Sequence, residues 1–130
     1  MQTSSTTNNI RISVETSYQL PSHNSRNEEF FAYRITIENL SNKTVQLMRR
    51  HWFIIDADGS RREVEGEGVV GQQPILHPNE SHQYISGCTF ATPIGKMYGT
   101  FTMRQLNTSE PETFKVDIPE FLMVVPFKLN

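Results

Sequence analysis

Cysteine is nearly missing from this chain of 130 residues, where Cys88 stands alone. One thiol closes no intrachain disulfide, so the fold cannot depend on oxidation, and a cytoplasmic location fits. Long apolar runs are missing too. No stretch approaches the roughly 18 residues that mark a membrane helix, so no membrane partner is expected. An apolar leader is also lacking: residues 1–9 are polar and rich in Ser, Thr and Asn, so no signal peptide is expected and this segment is read as disordered. Basic surplus is absent, since the net charge is −2. That is no electrostatic footprint for nucleic acid, although a local basic patch stays open. Internal repeats and convincing helical periodicity are absent as well. The length fits one domain over 10–130, large enough for one real core.

What the chain does have is period-two alternation. Ile10, Ile12, Val14, Thr16 and Tyr18 alternate with polar residues, as do Phe31, Tyr33, Ile35 and Ile37. Between these two strands the polar stretch from Pro21 to Glu28 reads as a loop. Val45 to Ile55 is the longest strand candidate and carries the lone Trp52. Asp56-Ala57-Asp58-Gly59 then signals a hairpin. Either Phe53 or Trp52 can face Val64. The Trp52 register, with a three-residue loop and a bulge at Gly59, is preferred because Trp52 needs an apolar neighbour. The return strand, Arg61 to Glu65, is charged enough to be an edge. Further strands run from Gln83 to Phe90, Met97 to Met103 and Phe114 to Ile118, where Pro119 ends the last. Phe121 to Phe127 is a final strand or strand-like tail. Seven to eight short antiparallel strands predict an all-β sandwich of immunoglobulin or fibronectin type III type, with a closed barrel as the alternative.

The stretch Gly66-Glu67-Gly68-Val69-Val70-Gly71-Gln72-Gln73-Pro74 is the one place where three glycines crowd together. As a string it matches the dinucleotide pattern, but that chemistry needs a helix opening at the glycines. Pro74 and Pro78 forbid such a helix, and Val69 and Val70 favour extended chain. A nest of backbone N–H groups holding an anion is the functional reading. The plainer reading, which takes precedence, is glycine at positive φ in a turn or bulge. The expected geometry is an ordered rim connection, with one valine buried and Arg49 and Arg50 within reach of its backbone.

Candidates for chemistry are few. His77, Glu80 and His82 flank a turn and form a weak candidate metal site; no metal and no cofactor are expected. Cys88 has no basic sequence neighbour and reads as a buried structural thiol. Asp56, Asp58, Glu63, Glu65 and Glu67 read as a solvated acidic face rather than a catalytic pair. Arg49, Arg50 and His51, with Arg61 and Arg62 on the returning strand, form the best basic cluster. They would suit a phosphate or an acidic partner, and an ordinary charged sheet face is the plainer reading.

Three stretches carry a family resemblance: Met48 to Gly59, Gly66 to Pro74, and Thr92 to Met103. Across roughly Ile10 to Lys128 the chain resembles the bacterial ApaG family. Glu65 stands where that family more often has a basic residue, and Asn79 where it has glycine. The resemblance implies a fibronectin type III-like sandwich and a stand-alone cytoplasmic protein, often encoded beside a diadenosine tetraphosphatase. It implies a link to cobalt resistance and magnesium transport without an assigned mechanism. Related eukaryotic domains sit in an F-box protein and in a DNA-polymerase-delta-interacting protein, which points to protein binding. The family brings no catalytic residues.

The expectation is therefore a non-enzymatic binding module with a protein partner, monomeric or dimeric, whose candidate contact residues are Arg49, Arg50, Gly66, Gly68 and Gly71. The alternative is a nucleotide- or pyrophosphate-binding protein that uses the Gly66–Gly71 loop for a phosphate-containing small molecule. A metal-responsive protein using His77, Glu80 and His82 is the third reading.

Overall fold

A computed structural model describes residues 2–20 and 28–126, and among these no residue is helical. Nine strands form: β1 (Gln2–Thr7), β2 (Ile10–Gln19), β3 (Glu29–Asn39), β4 (Val45–Asp56), β5 (Arg61–Glu67), β6 (Ile75–Leu76), β7 (Ser81–Phe90), β8 (Ile94–Gln105) and β9 (Thr113–Val124). They make two antiparallel sheets, ordered β1-β2-β3-β7 and β5-β4-β8-β9, with the short β6 pairing β4. The architecture is the expected immunoglobulin or fibronectin type III-like sandwich. Its core comes from the alternating apolar residues of both sheets. Ile10, Ile12, Val14, Ile35, Ile37, Leu47, Phe101, Met103 and Val116 are fully buried.

The N-terminal segment departs from expectation. Gln2–Thr7 is not frayed but pairs with β2 from Gln2↔Glu15 to Thr7↔Ile10. Its alternating Ser and Thr side chains also reach β9. Ser5 Oγ donates to the Asp117 carbonyl at 3.2 Å, and the Asp117 N–H donates to Thr7 Oγ1 at 3.3 Å. A polar strand is held here because a free sheet edge supplies its backbone partners. The loop read over Pro21–Glu28 lies outside the described residues except for Glu28, as does the end of the tail at Phe127.

Pro119 does not end its strand either. β9 runs on to Val124, and the register against β8 shifts between Met97↔Phe121 and Gly99↔Ile118. One extra residue on β9 makes a bulge at Pro119-Glu120. There a missing N–H leaves no gap in the ladder, and β9 is the edge of its sheet. The bulge also changes which residues face inward, from Val116 and Ile118 to Phe121 and Met123.

A second bulge matters more for function. Leu47 pairs with Met103, but Arg49 pairs with Thr102, so Met48 is an extra residue on β4. A one-residue insertion exchanges the two faces of a strand. Before Met48 the inward residues are Val45 and Leu47. After it Trp52, Ile54 and Asp56 are buried, and Arg50 shares their side. The preferred hairpin register is observed: Trp52 faces Val64, the loop is Ala57-Asp58-Gly59, and Gly59 has φ of 91°.

Candidate functional site

The glycine stretch is a small hairpin clasped onto β4. Val69 and Gln72 exchange both backbone hydrogen bonds, at 2.8 and 3.0 Å. The two residues between them, Val70 and Gly71, have φ of 46° and 75°. Two central residues at positive φ are the signature of a type I′ turn. Gly68, at φ of 67°, starts the hairpin, and a Cβ there would run into the Gln72 carbonyl. Val69 is buried in the core, whereas Val70 is 63% exposed.

The Met48 bulge supplies the dock. Its carbonyl accepts from the Gly68 N–H at 2.9 Å and from Gln73 Nε2 at 3.0 Å. The Leu47 N–H donates to the Pro74 carbonyl at 3.0 Å. Arg50, turned inward by the bulge, donates from Nη1 to the Glu67 and Gly68 carbonyls, both at 2.9 Å. Gly66 lacks a side chain where that guanidinium crosses, since a Cβ would sit 3.0 Å from Nη1. So Arg50 is tied to carbonyls, and the N–H groups of Gly68, Val69 and Gln72 are already donated inside the chain. The string thus gathers a carbonyl clamp where the anion reading needed free N–H groups.

The basic cluster divides between two sides. Arg50 and Arg62 face inward, the latter pairing with Ile54, while Arg49, His51 and Arg61 face outward. Arg49 pairs with Glu67 in the ladder and borders a groove with Glu67, Gln73 and Arg104. His51 lies between two carboxylates, with Nε2 2.6 Å from Glu63 and Nδ1 3.4 Å from Glu65. Glu65 therefore has a partner in His51.

The candidate metal residues are engaged elsewhere. Glu80 accepts from the His77 N–H at 2.7 Å, and His77 Nδ1 lies 3.2 Å from Thr44 Oγ1. His82 lies alongside Tyr84, with ring centroids 6.5 Å apart. Among the described residues no three His, Cys, Asp or Glu side chains gather as a metal would require. Asn79 occupies its turn at φ of 69°, as a glycine substitute must.

Asp56 corrects the reading of a solvated acidic face. It is 8% exposed and accepts from the N–H groups of Ala57 and Ala91, at 2.8 and 2.7 Å, and from the Thr92 hydroxyl. It joins the hairpin loop to the β7–β8 turn. Cys88 is buried as expected, and burial pushes its thiol pKa up. It nonetheless has a basic neighbour that sequence distance concealed. Arg62 Nη2 lies 3.5 Å from its sulfur, opposes the rise, and donates to the Thr89 carbonyl.

Beside the hairpin the two sheets part. A cleft of about 360 Å³ opens there, and Tyr33, Arg50, Trp52, Val64, Val70 and Tyr84 contribute to its lining. No Asp or Glu is among the residues that line it. The Tyr84 hydroxyl is shut off from solvent and has no hydrogen-bond partner among the described residues. Burial first, and then Tyr33, push the Tyr84 pKa well up, while Arg50 opposes. Burial also raises that of Tyr33, against its cross-strand neighbour Ser86 and Arg50. Both phenols are therefore neutral donors at physiological pH. Sequence reading passed over this group, because Tyr33 and Tyr84 appeared only as members of alternating strands. Their pairing with Arg50 depends on the bulge.

No described helix is long and apolar enough to cross a membrane. Residues 19–105 match the family model described as the ApaG domain. The chain is 46% identical over 122 residues to the protein ApaG of Vibrio cholerae, covering 93% of this chain and 94% of that relative. It is 47% identical over 114 residues to the protein ApaG of Acidithiobacillus ferrooxidans, covering 86% and 87%. A crystal structure of the ApaA protein of Bordetella pertussis superposes with a TM-score of 0.82 at 39% identity, over 92% of this chain and 95% of that one. With the family model spanning residues 19–105 and such relatives matching over most of their length, the chain belongs to the ApaG family.

Proposed function

We propose that this chain is a non-enzymatic binding module of the cytoplasm, and that the hairpin rim around Val70 contacts a protein partner. The observation that carries this reading is Val70 itself. A β-branched residue at φ of 46° is a backbone outlier, and at 63% exposure its methyl groups contribute little to the core. Asn or Gly would suit the turn better. Strain kept at an exposed tip motivates a role outside the fold. Val64, 39% exposed, borders the same cleft and extends the apolar contact. The family's link to cobalt and magnesium would then run through the partner, not through a metal held by this chain.

The test compares Val70→Asn with the wild type. Asparagine keeps the left-handed turn and removes the methyl groups. The variant should fold at least as stably, and capture from native cytosol, read by quantitative mass spectrometry, should lose the partners that the wild type retains. Unchanged capture by Val70→Asn, with loss on substitution of Arg34 on the outer face of β3, would move the contact to that sheet face.

A further inference from the structure

We infer that the cleft between the β5 and β7 edges is a binding site for a small monocarboxylate with an apolar body, held by Arg50 and Tyr84. This goes beyond the rim contact and does not depend on it.

The argument begins with the Tyr84 hydroxyl. It is buried and unpartnered, although buried polar groups in folded proteins are nearly always hydrogen-bonded. Leaving one orphaned is destabilising, and a phenylalanine would avoid it. Other atoms of Tyr84 line a cleft of about 360 Å³, within the usual range for small-molecule sites, and a bound acceptor would reach the covered hydroxyl as the ring shifts toward it. The polar side chains around it, Tyr33, Tyr84, Ser86, Cys88 and Arg50, can all donate, and none is an acceptor alone. Tyr33 and Tyr84 are neutral phenols, and Arg50 is a guanidinium with Nη1 occupied by the hairpin carbonyls. Its other donors are uncommitted among the described residues. A site that presents donors wants an acceptor head group.

Charge then narrows the class. Among the described residues the lining contains one guanidinium, that of Arg50, and no carboxylate, while the Arg62 guanidinium at its border is committed to Cys88 and the Thr89 carbonyl. One cation matches one negative charge. A phosphate dianion would be left half-compensated in a partly dry site. A carboxylate also accepts from several donors at once, as the guanidinium–phenol arrangement requires. The remaining walls are apolar, formed by Trp52, Ile54, Val64, Val69 and Met97. They suit a short alkyl chain or an aryl ring.

The chain carries its own reporter, since Trp52 is its one tryptophan and lines the cleft. The experiment titrates benzoate and octanoate into the full-length protein and follows Trp52 fluorescence, with benzamide and inorganic phosphate as controls. The expected result is a saturable change with both carboxylates and little with either control. Tyr84→Phe removes the orphaned hydroxyl, so it should fold normally by thermal melting. It should weaken benzoate about five-fold, the worth of one hydrogen bond. Three results would overturn the proposal: a flat titration with both carboxylates, benzamide binding as well as benzoate, or unchanged benzoate affinity in Tyr84→Phe. Phosphate binding better than either carboxylate would also overturn it and favour an anion site without an apolar body. None of these outcomes bears on capture by Val70→Asn, so the two readings fail separately.

Discussion

The two long margins of the sandwich are built differently. Along one, β1 lies against β9 and small side chains cross to the opposite backbone, through Ser5, Thr7 and Asn8, whose Nδ2 donates to the Lys115 carbonyl at 3.3 Å. Beneath that seam Ile10, Ile12, Val14 and Val116 are fully buried. Along the other margin β5 and β7 stand apart, bridged by Arg62 reaching Cys88 and Thr89. That side collects Arg50, Tyr33, Tyr84, Cys88 and the glycine hairpin. The closed margin provides stability, and the open one keeps polar groups and strain that a purely structural seam would have eliminated. This is the usual division between scaffold and site.

Substitutions can sharpen that contrast. Ile12→Ala on the closed side should cost about 3 kcal/mol, as deletion of a fully buried aliphatic group does, while Val64→Ala on the open side should cost well under about 1 kcal/mol. Denaturant unfolding measures both, and equal losses would erase the distinction between the margins. Gly68→Ala should cost about 2 kcal/mol, because alanine is strained at φ of 67° and its Cβ meets the Gln72 carbonyl. The same measurement checks it.

Alkaline pH should act mainly on the open side. Tyr33 and Tyr84 are raised above their ordinary value of 10.0, and Cys88 above 9.0, by burial. These groups therefore hold their protons longer in the folded chain than in the unfolded one. Their contribution is intact below the unfolded values and is lost as pH rises past 9 to 10 toward the folded ones. Each such group adds a slope of up to about 1.4 kcal/mol per pH unit. Tyr84→Phe should flatten that loss, as chemical denaturation at a series of alkaline pH values would show. An unchanged alkaline slope would mean that Tyr84 ionises as freely in the fold as outside it. The smallest effect is expected from Val70→Asn, a gain of about 1 kcal/mol or less from relieved backbone strain. A loss of stability there would show that the valine methyl groups support the fold.

Much of this architecture was legible in the residues. Alternation located the core strands, and the apolar demand of Trp52 chose the register that places it opposite Val64. Pro74 and Pro78 correctly removed the helix from the glycine stretch. The site was less legible, and for one physical reason. Periodicity assigns a face only while the count is unbroken, and Met48 breaks it. Arg49 and Arg50 therefore looked equivalent, whereas one faces outward and the other clamps the hairpin. Asp56 looked solvated because its partners Ala91 and Thr92 are distant in sequence. Arg62 was invisible to Cys88 for the same reason. β1 was missed because a Ser/Thr-rich strand has no apolar signal, and neighbouring backbone holds it in place.

The extra residue in β4 behaves like a frameshift in a coded message. Every position after Met48 is read on the opposite side of the sheet until the strand ends. A straight strand that kept Met48 in the ladder would turn Arg49, His51 and Phe53 to the core and Trp52 and Asp56 to water. Deleting the extra residue would instead close the bulge, make Leu47↔Met103 and Arg49↔Thr102 successive pairs and keep Trp52 inward, at the loss of the carbonyl that holds Gly68 and Gln73. The deleted chain should still fold by circular dichroism but be less stable through its undocked hairpin, and a failure to fold would show that β4 needs the bulge for more than the dock. The hairpin dock is thus encoded by one surplus residue in the strand beneath it as well as by the glycines that mark it.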